Sequence, residues 1–206
     1  MISIQTLNVD GIEQAMMAMR NPLDSWAKGD TTSERVGEAD RELTERLCLA
    51  GEEHAKHLRL CMVWADIIAP LYWWKEFDTY RLGVEKVSCS TMHTIHKRDF
   101  ELSDFSHEHL DKYNLNLLDS IIRNLNGARK EFIDSGKTDK EAWWQLIQLL
   151  PSSYNQKRTV NMSYATLRRI CKQRKGHKLD EWHEFIRWAM QLPESWMFVA
   201  ERGDEK

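Results

Sequence analysis

Hydrophobic and polar positions alternate at the start of the chain. Ile2, Ile4 and Thr6 interleave with Ser3, Gln5 and Leu7, the period of a short strand, before Asp10-Gly11 turns the chain. From there the spacing changes to three and four. Residues 12–19 read as a helix stopped by Asn21-Pro22, and 33–37 as a polar loop. Residues 40–51 read as a second helix, with Leu43, Leu47 and Ala50 on one face and Gly51 as its stop. Leu60, Val63, Trp64 and Ile67 carry a helical spacing over 53–69, up to Pro70. The run Leu71-Tyr72-Trp73-Trp74-Lys75-Glu76-Phe77 predicts a buried helix. The clearest helix covers 114–134, where Leu115, Leu118, Ile121, Ile122, Leu125, Ala128 and Phe132 share one face and Gly136 ends it. Thr138 and Glu141 stand at capping-box spacing ahead of a helix that runs to Leu150 and stops at Pro151. Ser163 caps a helix carrying Leu167, Ile170 and Cys171, and after a loop over 174–178 a last helix covers 181–190. The pattern predicts a helix-rich chain with a few strands and no internal repeat.

Composition narrows the classes of partner. No Pro/Gly/Ser-rich linker divides the 206 residues, so one domain over 1–206 is expected. A formal net charge of −3 excludes a histone-like binder, and any attraction to nucleic acid has to be local. No apolar run reaches the roughly 18 residues that span a bilayer. The first ten residues lack a basic segment followed by an apolar one, so a cytoplasmic protein with no membrane partner is expected. Cys48, Cys61, Cys89 and Cys171 show no CxxC spacing, which leaves reduced, partly buried thiols as the expectation.

Charge is distributed unevenly. Residues 142–179 contain no Asp or Glu in 38 positions, where the chain average would place roughly six. The same stretch carries Lys157, Arg158, Arg168, Arg169, Lys172, Arg174, Lys175 and Lys178. With Ser163 as the cap, Arg168, Lys172 and Lys175 fall about one turn apart on one helical face. Such a stripe is as often a solvated face as a binding one. Arg174 differs, because it shares a flank with the apolar side, where a guanidinium needs an anion to offset its desolvation. Its planar fork matches a phosphate or the carbonyl and imide edge of a uracil.

Other clusters are less specific. His54/His57 and His107/His109 have ligand-pair spacing, but no HExxH or DxD accompanies them, so no metal is expected. Cys89 and Ser90 lie near His93 and His96, a nucleophile-and-base composition without a GxSxG elbow. Trp73-Trp74 and Trp143-Trp144 predict one core ring per pair, with the other able to cover a ligand ring or a subunit contact, and core packing is the favoured use.

Thr79-Tyr80-Arg81, eight further residues and then Ser90-Thr91-Met92-His93 resemble the Arg-His-Arg run and following serine of the flavin-dependent thymidylate synthases. Arg81 and Ser90 match. Thr79 and Tyr80 stand for the family's first Arg and its His, Met92 for a later Arg, and Glu76 for a Gln ahead of the run. In the second half, Leu150-Pro151 is followed by Ser163-Tyr164-Ala165-Thr166-Leu167, where the family has Asn-x-Arg-Ser-Leu, and Arg174 sits at the family's distance. Gly51 with His54 resembles its Gly-His segment, and residues 2–7 its first strand.

The resemblance implies an α+β, helix-rich fold, a small sheet packed with long helices. It implies a homotetramer that binds FAD across subunit contacts. It further implies reduction of the flavin by NADPH and methylation of dUMP, or a related pyrimidine nucleotide, from methylenetetrahydrofolate, with no enzyme nucleophile on the pyrimidine. Carried over position by position, Arg174 is the catalytic residue and Ser90, Arg174 and Glu76 bind the substrate; Arg158 of the basic stretch completes the expected substrate-binding set. Arg81, Tyr80, Ser163 and His54 are the cofactor-binding set. The competing expectation is a non-catalytic nucleotide- or nucleic-acid-binding protein on the same scaffold, using Lys157, Arg158, Arg168 and Lys175. A third is an interaction protein that presents its tryptophans.

Overall fold

A computed structural model describes residues 2–198. Four strands form one antiparallel sheet in the order β1-β2-β4-β3: β1 (Ser3–Asp10), β2 (Met62–Pro70), β3 (Val84–Ser88) and β4 (Asn155–Ser163). The helices are α1 (Ile12–Ala18), α2 (Glu38–Ala50), α3 (Leu71–Phe77), α4 (Thr91–Thr94), α5 (Lys112–Asp134), α6 (Lys140–Gln148), α7 (Tyr164–Arg174) and α8 (Asp180–Ala189). The helix-rich α+β architecture expected from the sequence is the one observed.

The structure corrects one element outright. Residues 53–69 are not a helix: a short 3-10 turn, Lys56–Arg59, leads into β2. Val63, Ala65, Ile67 and Ala69 are fully buried, while Trp64 and Ile68 between them stay 45% and 40% exposed. That is a period of two. The β-branched Val63, Ile67 and Ile68 favour it, and the three-and-four spacing of Leu60, Val63, Trp64 and Ile67 is a coincidence of a short apolar run.

Two compact groups of elements organise the chain. Unit one comprises residues 2–3, 67–79 and 87–158 among those described. Its core is the predicted face of α5, where Leu118, Ile122, Leu125, Ala128 and Phe132 pack with Phe100, Phe105, Ala142 and Leu146. Asp111 caps α5 by accepting from the Asn114 amide at 2.8 Å. The cap of α6 is Asp139 rather than Thr138, because its carboxylate reaches the amides of both Glu141 (2.9 Å) and Ala142 (3.0 Å). Trp73 and Trp74 are both fully buried, so for this pair core packing takes both rings. They meet edge to face at 4.9 Å, and Trp74 Nε1 donates to the Gln156 carbonyl at 2.9 Å, so the second ring also finds its polar partner inside. The other pair behaves nearer to expectation: Trp143 packs on the core and Trp144 is partly exposed.

Unit two comprises residues 4–66, 80–86 and 159–198 among those described. Ser163 caps α7 as predicted, its hydroxyl oxygen accepting from the Thr166 amide at 3.3 Å. Leu167 and Ile170 of α7 and Trp182 and Phe185 of α8 are fully buried, and the two helices pack on each other.

Candidate functional site

Arg174 closes the last turn of α7, three residues beyond the buried Cys171, so its side chain leaves the helix at the edge of the apolar face. It is half-buried. Nε donates to the Tyr80 hydroxyl at 2.9 Å, and the guanidinium carbon lies 4.6 Å from the centre of the Trp182 ring and 5.5 Å from that of Tyr80. Tyr80, 6% exposed, meets Trp182 edge to face at 6.1 Å. Two of the residues singled out in the sequence, Tyr80 and Arg174, are thus brought into direct contact. Trp182, which the sequence did not single out, is the surface they share. Arg81, next to Tyr80, is exposed.

Ser163 lines a hollow of about 430 Å³ at the start of α7, with Glu52, Arg59, Leu82, Gly83, Ala165, Thr166, Arg168 and Arg169. Gly83 has φ +71°, and a Cβ there would stand 2.6 Å from Thr166 Oγ1, so only glycine lets the backbone run this close. Arg168 belongs to no solvated stripe. It donates to the carbonyls of Met197 at 2.7 Å and Cys48 at 3.0 Å, which corrects the expectation of an outward basic face for that residue. Arg169 donates to the Leu82 carbonyl at 3.3 Å.

His54 is exposed and lines a separate hollow of about 970 Å³ with Lys28, Arg46, Glu53, Lys56, His57 and Arg59. Arg59 lines both hollows. His57 is buried with neither ring nitrogen hydrogen-bonded, and burial pushes its pKa down to about 4, so it is neutral near pH 7.

In unit one, Ser90 precedes α4, its carbonyl accepting from the Thr94 amide at 3.0 Å and hydroxyl at 2.6 Å. Its neighbours Cys89 and Thr91 line a hollow of about 600 Å³ with Lys97, Arg98, Asp104, Tyr154, Gln156 and Lys157. Cys89 is knitted to β4: its amide donates to the Lys157 carbonyl at 2.9 Å and its carbonyl accepts from Gln156 Nε2 at 2.8 Å. His96 stacks edge to face on Phe132 at 5.4 Å. Arg158 lies over the Trp74 ring at 4.3 Å and donates to Asp78 at 2.9 Å and to Gln156 Oε1 at 2.9 Å. Of the four cations on which a nucleic-acid reading would lean, Arg158 and Arg168 therefore make contacts inside the protein. Glu76 sits half-buried on α3. Among the described residues, no three His, Cys, Asp or Glu side chains gather as a metal-ligand set, and no helix is long and apolar enough to cross a membrane.

By sequence, the chain matches no protein-family profile and no curated protein. By backbone it is similar to thymidylate synthase X from Helicobacter pylori, crystallised with FAD and dUMP, with a TM-score of 0.71 over 97% of each chain at 16% identity. A second structure of the flavin-dependent thymidylate synthase of that organism, also complexed with FAD and dUMP, gives 0.72 over 95% of this chain and 97% of the other at 17% identity. The chain therefore shares the fold of these enzymes.

Proposed function

We propose that the protein binds a dUMP-type pyrimidine nucleotide at Arg174 and methylates it reductively, using a folate one-carbon donor, NADPH and FAD. Fold alone does not fix function, so the weight rests on a site. The observation that carries the reading is the Arg174 guanidinium, held by Tyr80 and Trp182 at the end of α7. The shared fold with proteins that hold FAD and dUMP supports it.

The hollows of unit two fit a dinucleotide by charge. Lys28, Arg46, Lys56, Arg59, Arg168 and Arg169 line them against the carboxylates of Glu52 and Glu53. Arg59 and Arg169 would meet the diphosphate of FAD, with Ser163 and His54 beside it. The chemistry a bound flavin supplies is two-electron transfer. The chain's own part in the reaction is electrostatic: Arg174 orients the pyrimidine and stabilises the negative charge that develops on the ring as the one-carbon unit is delivered and reduced. Ser90 and Glu76 are proposed nucleotide contacts, Arg81 and Tyr80 flavin-side residues, by resemblance. The proposal includes a cytoplasmic homotetramer.

The test is the absorbance spectrum of protein incubated with FAD and desalted. Retained flavin bands, with dUMP perturbing them, are expected. A colourless product would remove the flavin-dependent mechanism. Light scattering checks the assembly, and a monomer would count against it.

A further inference from the structure

The geometry points to Tyr80 as a positioning residue for Arg174, with Trp182 as the surface on which the guanidinium is laid. This deepens the reading of Arg174 as the nucleotide's partner, and it takes Tyr80 from the flavin side, where the resemblance put it, to the nucleotide side. Three observations combine. The Tyr80 hydroxyl receives Arg174 Nε–H at 2.9 Å, which sets the direction of the fork about its last bonds. Trp182 lies 4.6 Å beneath the guanidinium carbon, which restrains how far the fork can tilt away from the ring. Tyr80 is itself immobilised, 6% exposed and edge-on to Trp182 at 6.1 Å, so the acceptor does not move with the arginine.

An unanchored arginine gives up rotamer freedom each time it binds an anion, whereas an anchored one has given it up on folding. A phenol is also a neutral acceptor, so it directs Arg174 Nε–H without itself adding a negative charge. Positioning of this kind appears in affinity and in the dynamics of Nε–H, and leaves the fold unchanged.

The experiment follows the Arg174 Nε–H resonance by NMR, assigned through its disappearance in R174A, and measures dUMP affinity by calorimetry. In the wild type the resonance should exchange slowly with water and be displaced upfield by the Trp182 ring. Y80F keeps the ring and removes the acceptor. It should speed exchange and weaken dUMP about 3- to 10-fold, the worth of one hydrogen bond that acts on the ligand through Arg174. In an R174A background the same change should cost nothing further. W182F, a second and independent variant, should reduce the upfield displacement, because the phenyl ring is smaller and its centre shifts away from the guanidinium. Unchanged Nε–H exchange in Y80F would overturn the positioning role. So would faster exchange with unchanged dUMP affinity. If the wild type binds no dUMP, the functional reading of Arg174 fails, while the exchange and ring-shift comparison still decides the geometry.

Discussion

Arg158 and Arg174 both lie over tryptophan rings, and they are built differently. Arg158 sits on β4 over Trp74 at 4.3 Å, with Asp78 accepting its Nη1 at 2.9 and 3.1 Å through both oxygens and Gln156 accepting Nε. Its side chain is 15% exposed. Arg174 ends α7 over Trp182 at 4.6 Å and gives its Nε to a phenol. A carboxylate brings a compensating charge to the arginine it holds, whereas a phenol orients its donor and brings none. The same cation–ring contact is thus combined with an ion pair in unit one and with a phenol hydrogen bond in unit two.

The sharpest way to break this comparison is Arg174→Ala. Turnover of dUMP should fall below detection, since an arginine that stabilises developing charge contributes several kcal/mol to the barrier. Urea unfolding of the variant should stay within about 1 kcal/mol of wild type, as for substitutions away from the core. Full activity would remove Arg174 from the mechanism.

A second set of variants addresses cohesion. Leu125→Ala removes a fully buried side chain from the core of unit one and should cost about 2–5 kcal/mol in the same urea measurement. If the one domain expected over 1–206 is a single folding unit, melting followed by probes in both units should shift as a single transition. Separate transitions would divide the two units as folding entities.

His57 makes unit two sensitive to acid. Its folded pKa of about 4 lies below the ordinary 6.5, so the unfolded chain binds more protons between those values. The contribution is whole above about pH 6.5 and is lost as pH falls toward 4, for a change of about 3 kcal/mol at most. Stability curves recorded across that window should flatten in His57→Phe, and an equal slope in both proteins would assign the acid sensitivity elsewhere.

The smallest effect is expected for Arg158→Ala. Loss of the Asp78 pair and the Trp74 contact should cost about 1–3 kcal/mol in stability, partly through the carboxylate left behind, with no change in dUMP affinity. A large affinity loss would give Arg158 the substrate role expected of it from the sequence.

Local signals that agree with packing were legible in the sequence. The face of α5 and the Ser163 cap of α7 were read correctly, because periodicity and capping chemistry report burial directly. The flank position of Arg174 followed from the same period. What escaped depended on pairing partners distant in sequence. β2 was read as helix because a nine-residue apolar run fits either period, and β4 carries Gln156 and Arg158 on positions whose polar groups are met only in the fold. Trp182 and the hollow beside Cys89 were missed for the same reason: nothing local marks a tryptophan as the bed of an arginine eight residues earlier, or joins Cys89 to Gln156. Arg168 looked solvated by spacing and is instead bound to the carbonyls of Cys48 and Met197.

The most direct test is a calorimetric titration of dUMP into wild type, R174A and R158A at one ionic strength. The account predicts measurable binding to wild type, equal binding to R158A, and a loss of at least about tenfold in R174A, the worth of charge-assisted hydrogen bonds. Equal affinity in R174A and wild type, or a loss confined to R158A, would contradict it.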